Sequence, residues 1–177
     1  MKIGVFCSAN SHIDPDFITA TEEFGHWIGK EGHTLVFGGC DLGLMRHIAQ
    51  AVKAEGGMTI GVIPSIVEER GGVSHDVDVE IPCDNLSDRK DLILAQSDIL
   101  VALPGGIGTL DEIFTVMASR TIGYHRKRVV LYDMKHFYAP LISLLDELQS
   151  CGMIRGHWQD HLEVVSSLEE LRQKLDD

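Results

Sequence analysis

Apolar residues recur along this chain in two rhythms. Short apolar runs, at Ile3–Phe6, Thr34–Phe37, Thr59–Ile63, Val77–Ile81, Ile99–Leu103 and Val129–Tyr132, read as strands, with Leu162–Val165 a weaker candidate. Between them lie longer patterns with apolar positions three and four apart. These predict helices near 15–31, 43–56, 85–96, 109–121 and 137–150, and a terminal one near 167–175. Several of the strands lack clean polar alternation, as expected where helices cover both faces of a sheet. The alternation of strand and helix predicts an α/β protein: a doubly wound, mostly parallel sheet in a Rossmann-like, three-layer αβα arrangement. One domain over residues 1–177 accommodates it, with no internal repeat or low-complexity segment. In such sheets ligands bind beyond the carboxyl ends of the strands. Two glycine-rich turns follow strands, at Phe37→Gly38 and Leu103→Pro104, and should open on the same edge of the sheet.

The second of these turns carries the most chemistry. Leu103-Pro104-Gly105-Gly106-Ile107-Gly108-Thr109-Leu110-Asp111-Glu112 links a strand to a helix that continues through Ile113, Phe114, Val116 and Met117. Glycines let the backbone approach a ligand closely, and the free N–H groups of a first helical turn attract an anion. Glu112 would stand one turn inside. A purely structural reading is also open, because Thr109-x-x-Glu112 fits a capping box in which Thr109 caps the helix and Glu112 reaches back to it. Three better-known glycine motifs are excluded. The dinucleotide fingerprint would need glycine at Asp111, G-K-[ST] occurs nowhere, and neither does G-x-S-x-G.

Composition narrows the ligand class. A net charge of −12 argues against a nucleic-acid backbone as partner, although a local positive site could still hold a phosphate. Cys7, Cys40, Cys83 and Cys151 show no C-x-x-C or zinc spacing, so reduced thiols in a cytoplasmic protein are expected. The opening Met1–Phe6 is too short an apolar run for a signal peptide, and no segment reaches the roughly 20 apolar residues that span a bilayer. The nine histidines lack ligand spacing, and His157-x-x-x-His161, which could share a helix face, has no carboxylate placed with it. No metal and no cofactor are expected. Residues 68–75 form a polar, glycine-containing loop, which serves either as a plain connection or as a lid.

Taken together, P-G-G-x-G-T-x-x-E at 104–112, the pair Arg89-Lys90, and the segments Val36–Met45 and Gly57–Pro64 resemble the LONELY GUY (LOG) family. That family comprises cytokinin-activating nucleoside 5′-monophosphate phosphoribohydrolases, many of whose bacterial members carry the older label "possible lysine decarboxylase". The match runs in family order from Lys2 to about Cys151. The resemblance implies hydrolysis of the N-glycosidic bond of a nucleoside 5′-monophosphate, AMP or an N6-substituted AMP, to base and ribose 5-phosphate. It implies Glu112 and Arg89 as catalytic residues. Arg89 and Lys90, the turn Gly105, Gly106, Ile107, Gly108 and Thr109, and Gly39 and Gly43 from the first glycine turn would bind substrate. It also implies a homodimer, for which Ile113–Ile122 is either part of the contact or plain core.

Plainer roles exist for several of these residues. Arg89 and Lys90 lie between Asp88 and Asp91 and could merely form local ion pairs on a helix face. Gly38–Met45 could be only a tight connection, and Ser8, Ala9 and Asn10 after the first strand could add donors on the same edge. The chain departs from the family at three places. Leu86-Ser87-Asp88 precede Arg89 in place of Met-His-x, Ser119–Gly123 replaces Trp-x-Gln-Leu-Gly, and Arg46 replaces a glycine. The first two are expected near the site, so the base stays open. A nucleotide sensor of the same fold is the main rival, but its mark would be loss of Glu112 or Arg89, and both are present. Lysine decarboxylation would need a lysine to hold pyridoxal phosphate as an imine, and only Lys90 lies near either turn.

Overall fold

In the computed structural model, which describes residues 1–176, strands and helices alternate nearly as the sequence predicts. The strands are β1 (Lys2–Phe6), β2 (Thr34–Phe37), β3 (Met58–Pro64), β4 (Val79–Cys83), β5 (Ile99–Ala102), β6 (Val129–Tyr132) and β7 (Glu163–Val165). The helices are α1 (Pro15–Lys30), α2 (Gly43–Ala54), α3 (Ser65–Glu69), α4 (Leu86–Gln96), α5 (Ile107–Thr121), α6 (Ala139–Ser150) and α7 (Leu168–Asp176). The strands form one sheet in the order β4-β3-β2-β1-β5-β6-β7, with every pairing parallel.

The missing polar alternation now has its cause. Successive strand residues face two different apolar cores, one on each side of the sheet. Ile3, Val5, Leu35, Phe37, Val101, Val130 and Tyr132 pack with Phe24 and Ile28 of α1, Leu44 and Ile48 of α2 and Leu171 of α7. Phe6, Val36, Leu100, Ala102, Val129 and Leu131 pack on the opposite face with Ile93 of α4, Ile113 and Val116 of α5 and Leu141 of α6. The period of two survives, but both of its phases are apolar.

This order also fixes where a ligand can bind. From β1 the chain winds outward through β2, β3 and β4, then crosses back to β5 and winds the other way through β6 and β7. The connections after β1 and β5 therefore diverge and leave a crevice at the carboxyl end of the sheet. Two backbone bonds hold its walls together, Leu103 N–H to the Phe6 carbonyl at 2.9 Å and Ser8 N–H to the Pro104 carbonyl at 3.2 Å.

Three local expectations are corrected. β4 begins at Val79, not Val77, because the Asp78 carboxylate accepts from Thr59 N–H at 2.9 Å and from Lys53 Nζ at 2.6 Å, which sets Val79 opposite Ile60. The loop expected at 68–75 starts inside α3. Its remainder is strapped to the first glycine turn, with Asp41 N–H bonded to the Gly72 carbonyl and Ser74 N–H to the Gly39 carbonyl. His157 and His161 share no helix face, since a short 3-10 turn, Trp158–Asp160, separates them.

Candidate active site

The glycine turn after β5 opens a helix that no side chain caps among the described residues. α5 starts at Ile107 behind Gly106, with no side-chain bond to its first turn. The first helical bond of α5 is Leu110 N–H to the Gly106 carbonyl at 3.0 Å, which leaves Ile107, Gly108 and Thr109 N–H without helical partners. The capping-box reading is thereby corrected: Thr109 is the third helical residue, not the cap, and its buried hydroxyl packs back over Gly105. Any Cβ on Gly105 would collide with that hydroxyl, so glycine there is required by packing. Glu112 also does not serve the helix end. It is 8% exposed and faces the crevice.

Arg89 reaches the same place from α4. Its Nε donates to the Val62 carbonyl at 3.2 Å and one Nη2 proton to the Gly38 carbonyl at 2.6 Å, with the Cys40 sulfur 4.0 Å from Nη2. Its Nη1 group has no such partner among the described residues. Gly38 must be glycine, because a Cβ there would collide with the guanidinium. The first glycine turn thus holds the arginine. Arg89 is 9% exposed and forms no ion pair within 4 Å of a carboxylate among the described residues.

Arg89 and Glu112 line one chamber of about 270 Å³ with Cys7, Ser8, Met45, Gly106, Gly108 and Thr109. Burial pushes the Glu112 carboxyl up to about 7; the Arg89 charge opposes this, Asp111 adds to it, and Lys90 opposes it. The buried Cys7 thiol is pushed well up, first by desolvation and then by Glu112, so it stands neutral beside the pair. Tyr138 fixes the turn from below, its hydroxyl donating to the Leu103 carbonyl at 2.6 Å.

The other sequence candidates fall into place around this chamber. Lys90 does not line it; its ammonium, 2.8 Å from the Asp111 carboxylate, ties α4 to α5. Gly39 and Gly43 do not line it but pack tightly behind it. A Cβ on Gly39 would strike Ile63, and one on Gly43 would strike the backbone of Ser8–Asn10. Ile107 contributes backbone alone, since its side chain is 89% exposed. Ser119–Gly123 is corrected, because it ends α5 roughly 18 Å along the axis from Thr109 and does not line the chamber. Leu86-Ser87-Asp88 likewise lie at the start of α4, away from the chamber walls. Cys7 and Met45 were not legible as site residues, because apolar and sulfur side chains carry no motif signal. Among the described residues no three His, Cys, Asp or Glu side chains converge as a metal centre.

Comparison with known proteins bears on the family and the fold. A family profile described as "Possible lysine decarboxylase" matches residues 45–175. The chain is 33% identical over 168 residues to the cytokinin riboside 5′-monophosphate phosphoribohydrolase of Mycobacterium tuberculosis, covering 95% of this chain and 89% of that protein. It is 32% identical over 176 residues to one from Arabidopsis thaliana, covering 99% and 83%. Among solved structures, the molybdenum cofactor binding protein from Rippkaea orientalis superposes with a TM-score of 0.73 at 25% identity, covering 99% of this chain and 97% of that one.

Proposed function

The chain belongs to the LOG family, whose profile carries the "possible lysine decarboxylase" description, and on that premise we propose that it hydrolyses the N-glycosidic bond of a nucleoside 5′-monophosphate. The substrate is AMP or an N6-substituted AMP, and the products are the free base and ribose 5-phosphate. The observation that carries this reading is the meeting of Glu112 and Arg89, buried and unpaired with each other, at the uncapped start of α5.

The chemistry follows from that arrangement. The 5′-phosphate lies on the N–H groups of Ile107, Gly108 and Thr109 and on the Thr109 hydroxyl, where the helix end favours negative charge. Cleavage of the bond between C1′ and the base nitrogen builds positive charge on C1′ and the ring oxygen. The electron pair leaves with the base, and water adds at C1′. The Glu112 carboxylate, buried and without a salt-bridge partner, gains its counter-charge only as that cation forms, so it stabilises the transition state more than the ground state. Titrating near 7, it is also suited to accept the proton of the attacking water. Arg89, held by the Val62 and Gly38 carbonyls, presents Nη1 to the phosphate or to the leaving base. Lys90, committed to Asp111, has no direct part.

Assembly and location belong to the same proposal. A homodimer is supported by the exposed apolar side chains of Phe114, Ile122 and Met153, which border a groove of about 520 Å³ between α5 and α6. A cytoplasmic setting is supported by four free cysteines, and no helix among the described residues is long and apolar enough to cross a membrane. The decisive assay is ribose 5-phosphate release from AMP, GMP, CMP, IMP and N6-prenyl-AMP, run beside Glu112→Gln. Turnover that disappears in the variant supports the hydrolase. AMP binding without turnover in the unaltered protein moves the assignment to a nucleotide sensor.

A further inference from the structure

The segment after β6 is bent in a way that needs a physical reason. Lys135 and His136 hold φ of 54° and 58°, a left-handed backbone that residues with a Cβ rarely adopt. Two such residues in succession persist only where their surroundings impose them, and such places cluster at functional sites. Three contacts impose the bend here. Asp133 N–H donates to the Val165 carbonyl of β7 at 2.8 Å. The Lys135 ammonium lies 2.8 Å from the Asp14 carboxylate and 2.6 Å from that of Asp16, at the start of α1. The buried Asp133 carboxylate accepts from Tyr138 N–H at 2.7 Å, which closes the bend on itself.

The bend carries the Tyr138 hydroxyl to the glycine turn before α5. The tyrosine is 2% exposed and packs in the apolar core on the α5 side of the sheet. Phenylalanine would fill that space as well, and a buried hydroxyl is costly unless it is bonded. This one donates to the Leu103 carbonyl at 2.6 Å, and the Gly105 N–H approaches the same oxygen from beyond Pro104. The Pro104 carbonyl, in one peptide plane with the Gly105 N–H, accepts from Ser8 N–H at 3.2 Å. A single phenol thus touches two successive peptide planes of the turn, and the residue after β1 and Cys7 holds the second plane from its far end. The Gly105 N–H is committed to the tyrosine. The donors left without helical partners are those of Ile107, Gly108 and Thr109.

We propose that Tyr138 is a positioning residue for the anion site: its hydroxyl, brought in by the Asp133 bend, sets the tilt of the glycine turn and so the aim of the Ile107, Gly108 and Thr109 N–H groups at the substrate's phosphate. The inference rests on the nucleotide reading above and deepens it. Tyr138 does not line the Arg89–Glu112 chamber and acts through the turn alone. Glycine at 105, 106 and 108 leaves the turn pliable, so its stiffness has to come from outside. An anion held by backbone N–H groups is sensitive to their direction, because hydrogen bonds weaken steeply below about 120°. Asp133 serves as the acceptor that holds Tyr138 N–H, a role that an asparagine oxygen can also fill.

The test measures calorimetric binding of ribose 5-phosphate and of AMP, separately, to the unaltered protein, Tyr138→Phe, Asp133→Asn and Asp133→Ala, well below the melting temperature recorded for each. Tyr138→Phe is expected to weaken both ligands about 10-fold, the size of one misaligned hydrogen bond. Asp133→Ala should do the same, and Asp133→Asn should stay within about 2-fold of the unaltered protein. The Asp133 pair answers the same question if Tyr138→Phe fails to fold. A Tyr138→Phe protein that melts lower yet binds both ligands within about 2-fold would make the hydroxyl merely structural and overturn the proposal. Failure of both ligands to bind the unaltered protein would overturn it together with the nucleotide reading. Ribose 5-phosphate binding that depends on Tyr138, in a protein without AMP turnover, would refute the hydrolase and uphold the positioning role.

Discussion

Replacing Glu112 by glutamine should stabilise the protein in alkali and not in acid. The carboxyl titrates near 7 in the folded chain against an ordinary value of 4.5, chiefly because it is buried. Between these values the folded state holds the proton and the unfolded state has released it. Stability therefore falls as pH rises through that window and stays flat above it. A difference of about 2.5 pH units at 1.36 kcal/mol each gives about 3 kcal/mol of strain from the buried charge at pH 8. Glutamine keeps the shape and cannot ionise. The melting temperature of Glu112→Gln relative to the unaltered protein should thus rise by roughly 6–12 °C between pH 4.5 and pH 8.5, at about 2–4 °C per kcal/mol for a chain of this size. The assay is calorimetric melting of both proteins in matched buffers, read as the change in their difference, which cancels every other titrating group. A difference that does not move with pH, or that moves against the variant in alkali, would show that Glu112 is ionised without penalty. It would remove the argument that the substrate's developing cation is its missing partner.

Four further outcomes follow from the same site. The rate kcat/KM for ribose 5-phosphate release should climb with pH about an apparent pKa near 7, and Asp111→Asn should move that value down while Lys90→Gln moves it up, because the two charges act on Glu112 with opposite sign. Arg89→Ala and Arg89→Lys should both lower kcat by about 10²-fold or more in steady-state assays, since an ammonium cannot replace a guanidinium held by two carbonyls. Gly38→Ala should lower turnover as far as Arg89→Ala does, by displacing the guanidinium; a variant with full activity would show the contact to be dispensable. Gly105→Ala should lower the melting temperature, whereas Gly108→Ala, with open space around it, should keep it and raise KM by intruding on the phosphate site.

The layered fold was legible in the sequence because hydrophobic burial is patterned locally. Runs such as Ile99–Leu103 and Val129–Tyr132 are apolar at every position, and only a strand covered on both faces needs that. The glycine turn was legible too, as was the place of Glu112, because the glycines lie together in sequence and the carboxylate sits at a fixed helical offset from them. What the sequence left undecided depended on partners distant along the chain. Whether Thr109 caps α5 depends on where the helix begins, and the structure starts it at Ile107, three residues earlier than the capping pattern suggests, with Thr109 packed over Gly105. Arg89 and Lys90 are neighbours of similar charge, and nothing local separates them. Only tertiary structure sends one to the carbonyls of Gly38 and Val62 and the other to Asp111. Ser119–Gly123 follows Glu112 closely in sequence, yet a straight helix carries it away from the chamber. Phe17 and Phe137, 120 positions apart, meet because α1 and the segment after β6 both begin at the carboxyl edge of the sheet. Local chemistry fixed which elements form and where an anion could bind; the surroundings of the carboxylate, and hence its affinity for a proton, came from the residues that the fold packs around it.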